Sequence, residues 1–150
     1  FGYKVHALTT VDGAVMTFEI TPANVDDRKG LRDMTSDFTD FYSVFGDKGY
    51  VNKNLEQEFE LRGQFLFALK RDNAQNNLSD EGRKFILKYR KRIETVFSQL
   101  AGQFNIERVL AKTFRGLSVR LLTKFLAFNI CLFINKIFDF NFSTVKSLIF

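Results

Sequence analysis

The stretch from Tyr3 to Ile20, "YKVHALTTVDGAVMTFEI", constrains the fold more than any other part of this chain. Two runs rich in β-branched and aromatic residues flank Asp12-Gly13. Such a turn needs positive φ, which glycine adopts without steric cost, so the pattern predicts a hairpin over residues 3–20. A chain that opens on a hairpin and then changes to helical periodicity is α/β rather than a helical bundle.

The remaining signals fill in the order. "TPANVDD" (21–27) is turn chemistry, and it leads to a short helix near 28–38 with Leu31, Met34 and Phe38 on one side. A strand is expected at about 42–47, before Gly49. "NKNLEQEFELRG" then reads as an amphipathic helix with Asn52 as its N-cap and Gly63 at its end. "QFLFALK" (64–70) is a strand, apolar through its middle as expected when both faces are covered. Residues 71–80 form a polar loop. Beyond it, Ile93, Val96, Phe97, Leu100 and Phe104 mark the core stripe of a helix over about 81–103. A last helix is expected over about 117–138. The order is β-β-α-β-α-β-α-α, a mixed sheet with helices packed on it.

At 150 residues the chain is read as a single domain, 1–150, without repeats, low-complexity tracts or linkers. The lone Cys131 excludes an internal disulfide and suits a reducing compartment. The formal charge of +5 favours a polyanionic partner. The apolar C-terminal region has a longest uncharged run of 11 residues, Phe125 to Asn135. That is short of the ~20 that span a bilayer, so it reads as a buried helix and no membrane partner is expected.

Two acids stand out. Asp47, in "FGDKGY", ends the strand at 42–47; alone it reads as a carboxylate capping the next turn. Glu94 lies at the edge of the stripe on the long helix, with Arg90 and Ser98 four residues to either side. Before it stand Arg83, Lys84, Lys88, Arg90, Lys91 and Arg92 against Glu81. By pattern alone Glu94 is either a surface acid paired with Arg90 or a cation ligand beside a phosphate backbone.

Together "FGYKVHALTTVDG", "EITPANVDD", "FGDKGY" and "RKRIETVFSQL…FNIERV" resemble, in that order and over Phe1 to about Ala127, the catalytic core of DDE transposases of bacterial insertion sequences. The resemblance implies a ribonuclease-H-like mixed β-sheet flanked by helices. It also implies three carboxylates holding two divalent ions, Mg²⁺ or Mn²⁺, for in-line phosphoryl displacement. Asp47 matches the second acid and Glu94 the third. Arg90 matches an arginine one turn before the glutamate, and with Lys91 and Lys88 it is assigned to DNA phosphate. The implied partners are insertion-sequence ends and target DNA, with a homo-oligomer assembled on them in the bacterial cytoplasm, at the nucleoid.

In such enzymes the first acid lies on the strand before "GYKVH", and the sequence starts at that later strand. Asp12, Asp26 and Asp27 have the wrong topological place for it. The expectation is therefore an N-terminally truncated fragment, first strand missing, inactive alone in cleavage and strand transfer. His6, the sole histidine, reads as a strand-face residue hydrogen-bonded to the backbone, and Asp27 as a helix cap. Two rivals stay open: a catalytically dead remnant that binds DNA or co-assembles with intact transposase, and a basic globular interaction domain.

Overall fold

The computed structural model describes residues 2–36, 41–68 and 79–138. Its elements are β1 (Tyr3–Thr9), β2 (Val15–Pro22), α1 (Asp27–Ser36), β3 (Ser43–Gly46), a single 3-10 turn (Lys48–Tyr50), α2 (Lys53–Leu61), β4 (Phe65–Ala68), α3 (Asp80–Phe104) and α4 (Phe114–Ile137). The α/β order read from the sequence therefore stands. Phe38, Lys70 and most of the polar loop, 71–78, lie outside the described residues.

Where the sequence suggests one mixed sheet, the described strands pair as two separate ladders, β1–β2 and β3–β4. The first is an antiparallel hairpin, closed at one end by Thr10 N–H on Ala14 O (2.8 Å) and at the other by Ala23 N–H on Gly2 O (2.9 Å). Gly13 takes φ +95° in its turn, as the Asp-Gly signal requires. The second is parallel, with Val44 opposite Leu66 and Phe45 opposite Phe67.

The chain divides into two compact units, 1–7 with 18–91, and 8–17 with 92–150. The core of the first is built by Leu31 and Met34 of α1, Leu55 and Phe59 of α2, and Val44 and Leu66 of the parallel pair. Leu55 and Phe59 are four residues apart on one face of α2 and are essentially sealed from water. Truncating either to alanine costs roughly 2–5 kcal/mol. Asn52 caps α2 by accepting from the N–H groups of Asn54 and Leu55 (2.9 and 3.1 Å), and Gly63 follows the helix at φ +71°. Arg32 of α1 grips Glu58 of α2 with two parallel hydrogen bonds of 2.7 and 2.9 Å.

β4 corrects the expectation of a strand covered on both faces. Leu66 and Ala68 are buried on one side, while Phe65 on the other is 39% exposed.

In the second unit, Asn129 of α4 reproduces a strand partner for Val15: its side-chain oxygen accepts from Val15 N–H (2.9 Å) and its amide donates to Val15 O (2.8 Å). Asn105 ends α3 in the left-handed region, φ 50°, and Ile106 N–H returns to Leu100 O (3.1 Å). Thr113 caps α4 through Gly116 N–H. The buried helix expected at the C-terminus is buried on one face only. Leu121, Phe125 and Phe128 are inside, whereas Leu122, Leu126, Ile130 and Phe133 are exposed. By length and composition α4 is also long and apolar enough to cross a bilayer. Its bonds to Val15 and the ring contact of Phe104 with Phe128 (5.9 Å) pack one face of it against β2 and α3.

Candidate functional site

"FGDKGY" folds into a tight strand-end turn. Gly46 leaves room for the Tyr50 ring, which folds back so closely that a Cβ on Gly46 would stand 3.0 Å from it. Tyr50 N–H donates to Asp47 O (3.1 Å), and Gly49 N–H donates to Asp47 Oδ1 (2.6 Å). The capping role that Asp47 has by pattern alone is thus real. It occupies one carboxylate oxygen, fixes the side chain and leaves Oδ2 at an exposed position. Asp47 stands just past the carboxyl end of a parallel strand, where open α/β sheets place their ligands.

A second acid approaches this turn. A Cβ built on Gly49 would lie 3.5 Å from Asp47 Oδ1 and 3.7 Å from Asp27 Oδ2, so the two oxygens are at most about 7.2 Å apart. Asp27 is not the cap of α1. Asp26 takes that place, its Oδ1 accepting from Arg28 N–H (2.9 Å), because its backbone precedes the helix while Asp27 is already inside it. The other oxygen of Asp27 is freed to pair with Lys4 Nζ of β1 (2.7 Å), which also donates to Val25 O (2.7 Å). Tyr50 senses both acids. Burial first, then the negative charges of Asp27 and Asp47, push its hydroxyl pKa above the ordinary 10.0. Sequence reading passed over Tyr50; its place three residues after Asp47 in "DKGY" was the available signal.

His6 is buried, and its Nε2 is hydrogen-bonded to Thr21 Oγ1 (2.9 Å), not to backbone, because β1 and β2 place the two side chains side by side. It packs directly on Gly30 of α1. Burial lowers its pKa below 6.5, against the opposing pull of Asp27.

Glu94 is exposed on α3, one turn after half-buried Arg90, with Lys88 and Lys91 exposed on the same helix. Asp47 belongs to the first unit and Glu94 to the second. Among the described residues no three or more His, Cys, Asp or Glu side chains gather into a metal-binding group.

The family model for the transposase DDE domain matches residues 1–113, about three quarters of the chain, a span that includes Asp47, Arg90 and Glu94. The chain belongs to that family. No curated protein and no solved structure matches it. Membership makes DNA transposition the setting of this DDE domain and DNA its partner, and such domains depend in general on divalent metal. The donor chemistry fits. Asp47 and Glu94 offer only carboxylate oxygens, which suit a hard divalent cation such as Mg²⁺ or Mn²⁺.

Proposed function

We propose that the chain serves metal-dependent nicking and strand transfer of insertion-sequence DNA, with Asp47 and Glu94 as carboxylate ligands. The observation that carries this is the position of Asp47: a carboxylate locked by Gly49 N–H at the carboxyl end of a parallel strand, inside the family match. Two divalent ions, when bound, would supply charge neutralisation at the attacking and leaving oxygens of the phosphodiester. The chain's own part is to orient carboxylates toward that position and to hold phosphate. Asp47 is oriented by its turn. Arg90, one turn before Glu94, and the exposed Lys88 and Lys91 present positive charge to the DNA backbone.

The ribonuclease-H-like reading of the fold is supported by the order hairpin, helix, parallel pair, helix. Among the described residues the two ladders stay separate, so the single mixed sheet belongs to this proposal and not to the observed pairing. Assembly into a homo-oligomer on element ends and target DNA belongs to the same proposal.

The test is Mn²⁺ binding, followed by electron paramagnetic resonance. Wild type is expected to bind, and Asp47→Asn and Glu94→Gln are each expected to weaken binding about tenfold or more, with unchanged circular dichroism. Equal Mn²⁺ affinity in all three proteins would remove both residues from the metal site.

A further inference from the structure

An unbroken chain of six aromatic rings crosses one face of the parallel pair. Phe45 and Phe67, opposite each other in register, stack at 5.6 Å and 16°. Phe65 stacks on Phe67 at 6.2 Å and 23°, and Tyr42 meets Phe65 at 5.5 Å. At the other end Phe45 stacks on Tyr89 of α3 at 5.5 Å and 21°. Phe85 closes the row edge-on to Tyr89, at 4.5 Å.

The row has a simple origin. Side chains alternate across a strand, so Phe45, Phe65 and Phe67 must share the face opposite Val44, Leu66 and Ala68. That opposite face is buried, with Val44 at 5% and Leu66 at 8% exposure. The ring face is not. Tyr42 is 73% exposed, Phe85 49% and Phe65 39%, and Phe45, Phe67 and Tyr89, which connect them, are half-buried. Large aromatic side chains left in water as a connected patch mark a surface that receives something.

Charge says what it receives. On α3, Lys84 and Lys88 are exposed, each next in sequence to one of the two rings, Phe85 and Tyr89. The helix carries no acid between Glu81 and Glu94. Rings interleaved with cations match a polyanion that has free apolar faces, which describes unpaired nucleotides. A duplex matches less well, because its bases are already stacked on one another. A second copy of this surface would set lysine against lysine.

We infer that this aromatic row is a stacking surface for unpaired bases of single-stranded DNA, with Lys84 and Lys88 on its phosphates. It lies outside the proposed metal ligands and gives the chain a second mode of DNA contact, one that reads strand opening and not sequence.

The test is fluorescence anisotropy with three labelled probes of one length, about 12 nucleotides, within the span one such surface covers. They are oligo-dT, an abasic strand and a duplex. Wild type is expected to bind oligo-dT more tightly than the abasic strand. Tyr42→Ala and Phe85→Ala each lower oligo-dT affinity about fivefold or more, leaving the other two probes unchanged. Tyr42→Phe restores binding. Lys88→Ala weakens oligo-dT and abasic strand alike and lowers the salt slope by about 0.7. Equal binding of oligo-dT and abasic strand by wild type, or oligo-dT affinity untouched by both alanine variants, overturns the assignment; a row that covers a protein partner would give that result. Since Tyr42 and Phe85 are exposed, unchanged circular dichroism is the folding control.

Discussion

Lys4 Nζ stands 2.7 Å from Asp27 Oδ1, at the strand-end turn where Asp27 and Asp47 bring two like charges near each other. The other oxygen of Asp27 faces the space at Gly49 that Asp47 Oδ1 also faces. Lys4 therefore offsets a repulsion as well as making a bond. Both side chains are partly exposed, at 36% and 46%, so the pair itself is worth under about 1 kcal/mol, to which the bond to Val25 O adds a similar amount. Lys4→Met is expected to cost about 1 kcal/mol in urea unfolding. Asp27→Asn should destabilise wild type but be neutral or stabilising in the Lys4→Met background. Strictly additive effects would show that the charges do not communicate.

Gly30 and His6 make a second coupled pair, with a predictable change of sign. Alanine normally stabilises a helix relative to glycine by up to about 1 kcal/mol. At position 30 its Cβ would fall 2.6 Å from His6 Cδ2, and the ring, itself buried, has nowhere to move. Gly30→Ala should therefore destabilise by about 1–3 kcal/mol. In a His6→Ala background the overlap is gone, and the same substitution should stabilise. Thermal unfolding of the four proteins decides it; destabilisation in both backgrounds would mean that the ring is not the obstacle.

The hairpin, the α2 cap and the long helix were legible because each rests on local chemistry. Asp-Gly dictates a turn, Asn52 is three residues before Leu55, and the α3 stripe repeats at helical spacing. What the sequence hid depends on tertiary placement. Asp26 and Asp27 are adjacent acids, and only the entry angle of α1 decides which caps and which meets Lys4. "QFLFALK" reads as doubly buried because apolar spacing does not say whether the second face is covered by protein or left to water. The separate pairing of the two ladders is invisible to periodicity, since hydrogen-bond partners between strands are not local. Asp47 and Glu94 were singled out by the ordered set of motifs and not by spacing, and their metal role rests on that resemblance.

Burial of His6 sets a pH dependence that is separable from that of the carboxylates. Its folded pKa is below 6.5, so as pH falls through 6.5 the unfolded chain takes up a proton that the folded chain refuses. Stability is full above 6.5 and declines as pH falls toward the folded value, where the loss ends. Asp26 and Glu58 are held below their ordinary values by Arg28 and Arg32 hydrogen bonds, and their loss begins only below about pH 4.5. Urea midpoints measured from pH 7.5 to 3.5 should fall in two limbs. Since His6 is the sole histidine, His6→Asn should abolish the upper limb and keep the lower. An upper limb that survives the substitution would assign it to another group.

The basic stretch of α3 makes the last prediction. Arg90 and Lys91 stand one turn before Glu94 in a segment with no acid after Glu81. If they bind phosphate, each contact releases a condensed counterion, and the logarithm of duplex affinity falls with the logarithm of salt by about 0.9 per contact. The double charge reversal Arg90→Glu with Lys91→Glu should weaken duplex binding at low salt by tenfold or more. It should also flatten the salt slope by about 2. Neutral Arg90→Gln with Lys91→Gln should flatten the slope equally while costing less affinity, because contacts are lost without repulsion being added. Anisotropy titrations from 50 to 300 mM salt read both quantities. A slope unchanged in both variants would move the phosphate contacts to another part of the chain, and an affinity loss without a slope change would point to misfolding of α3 instead.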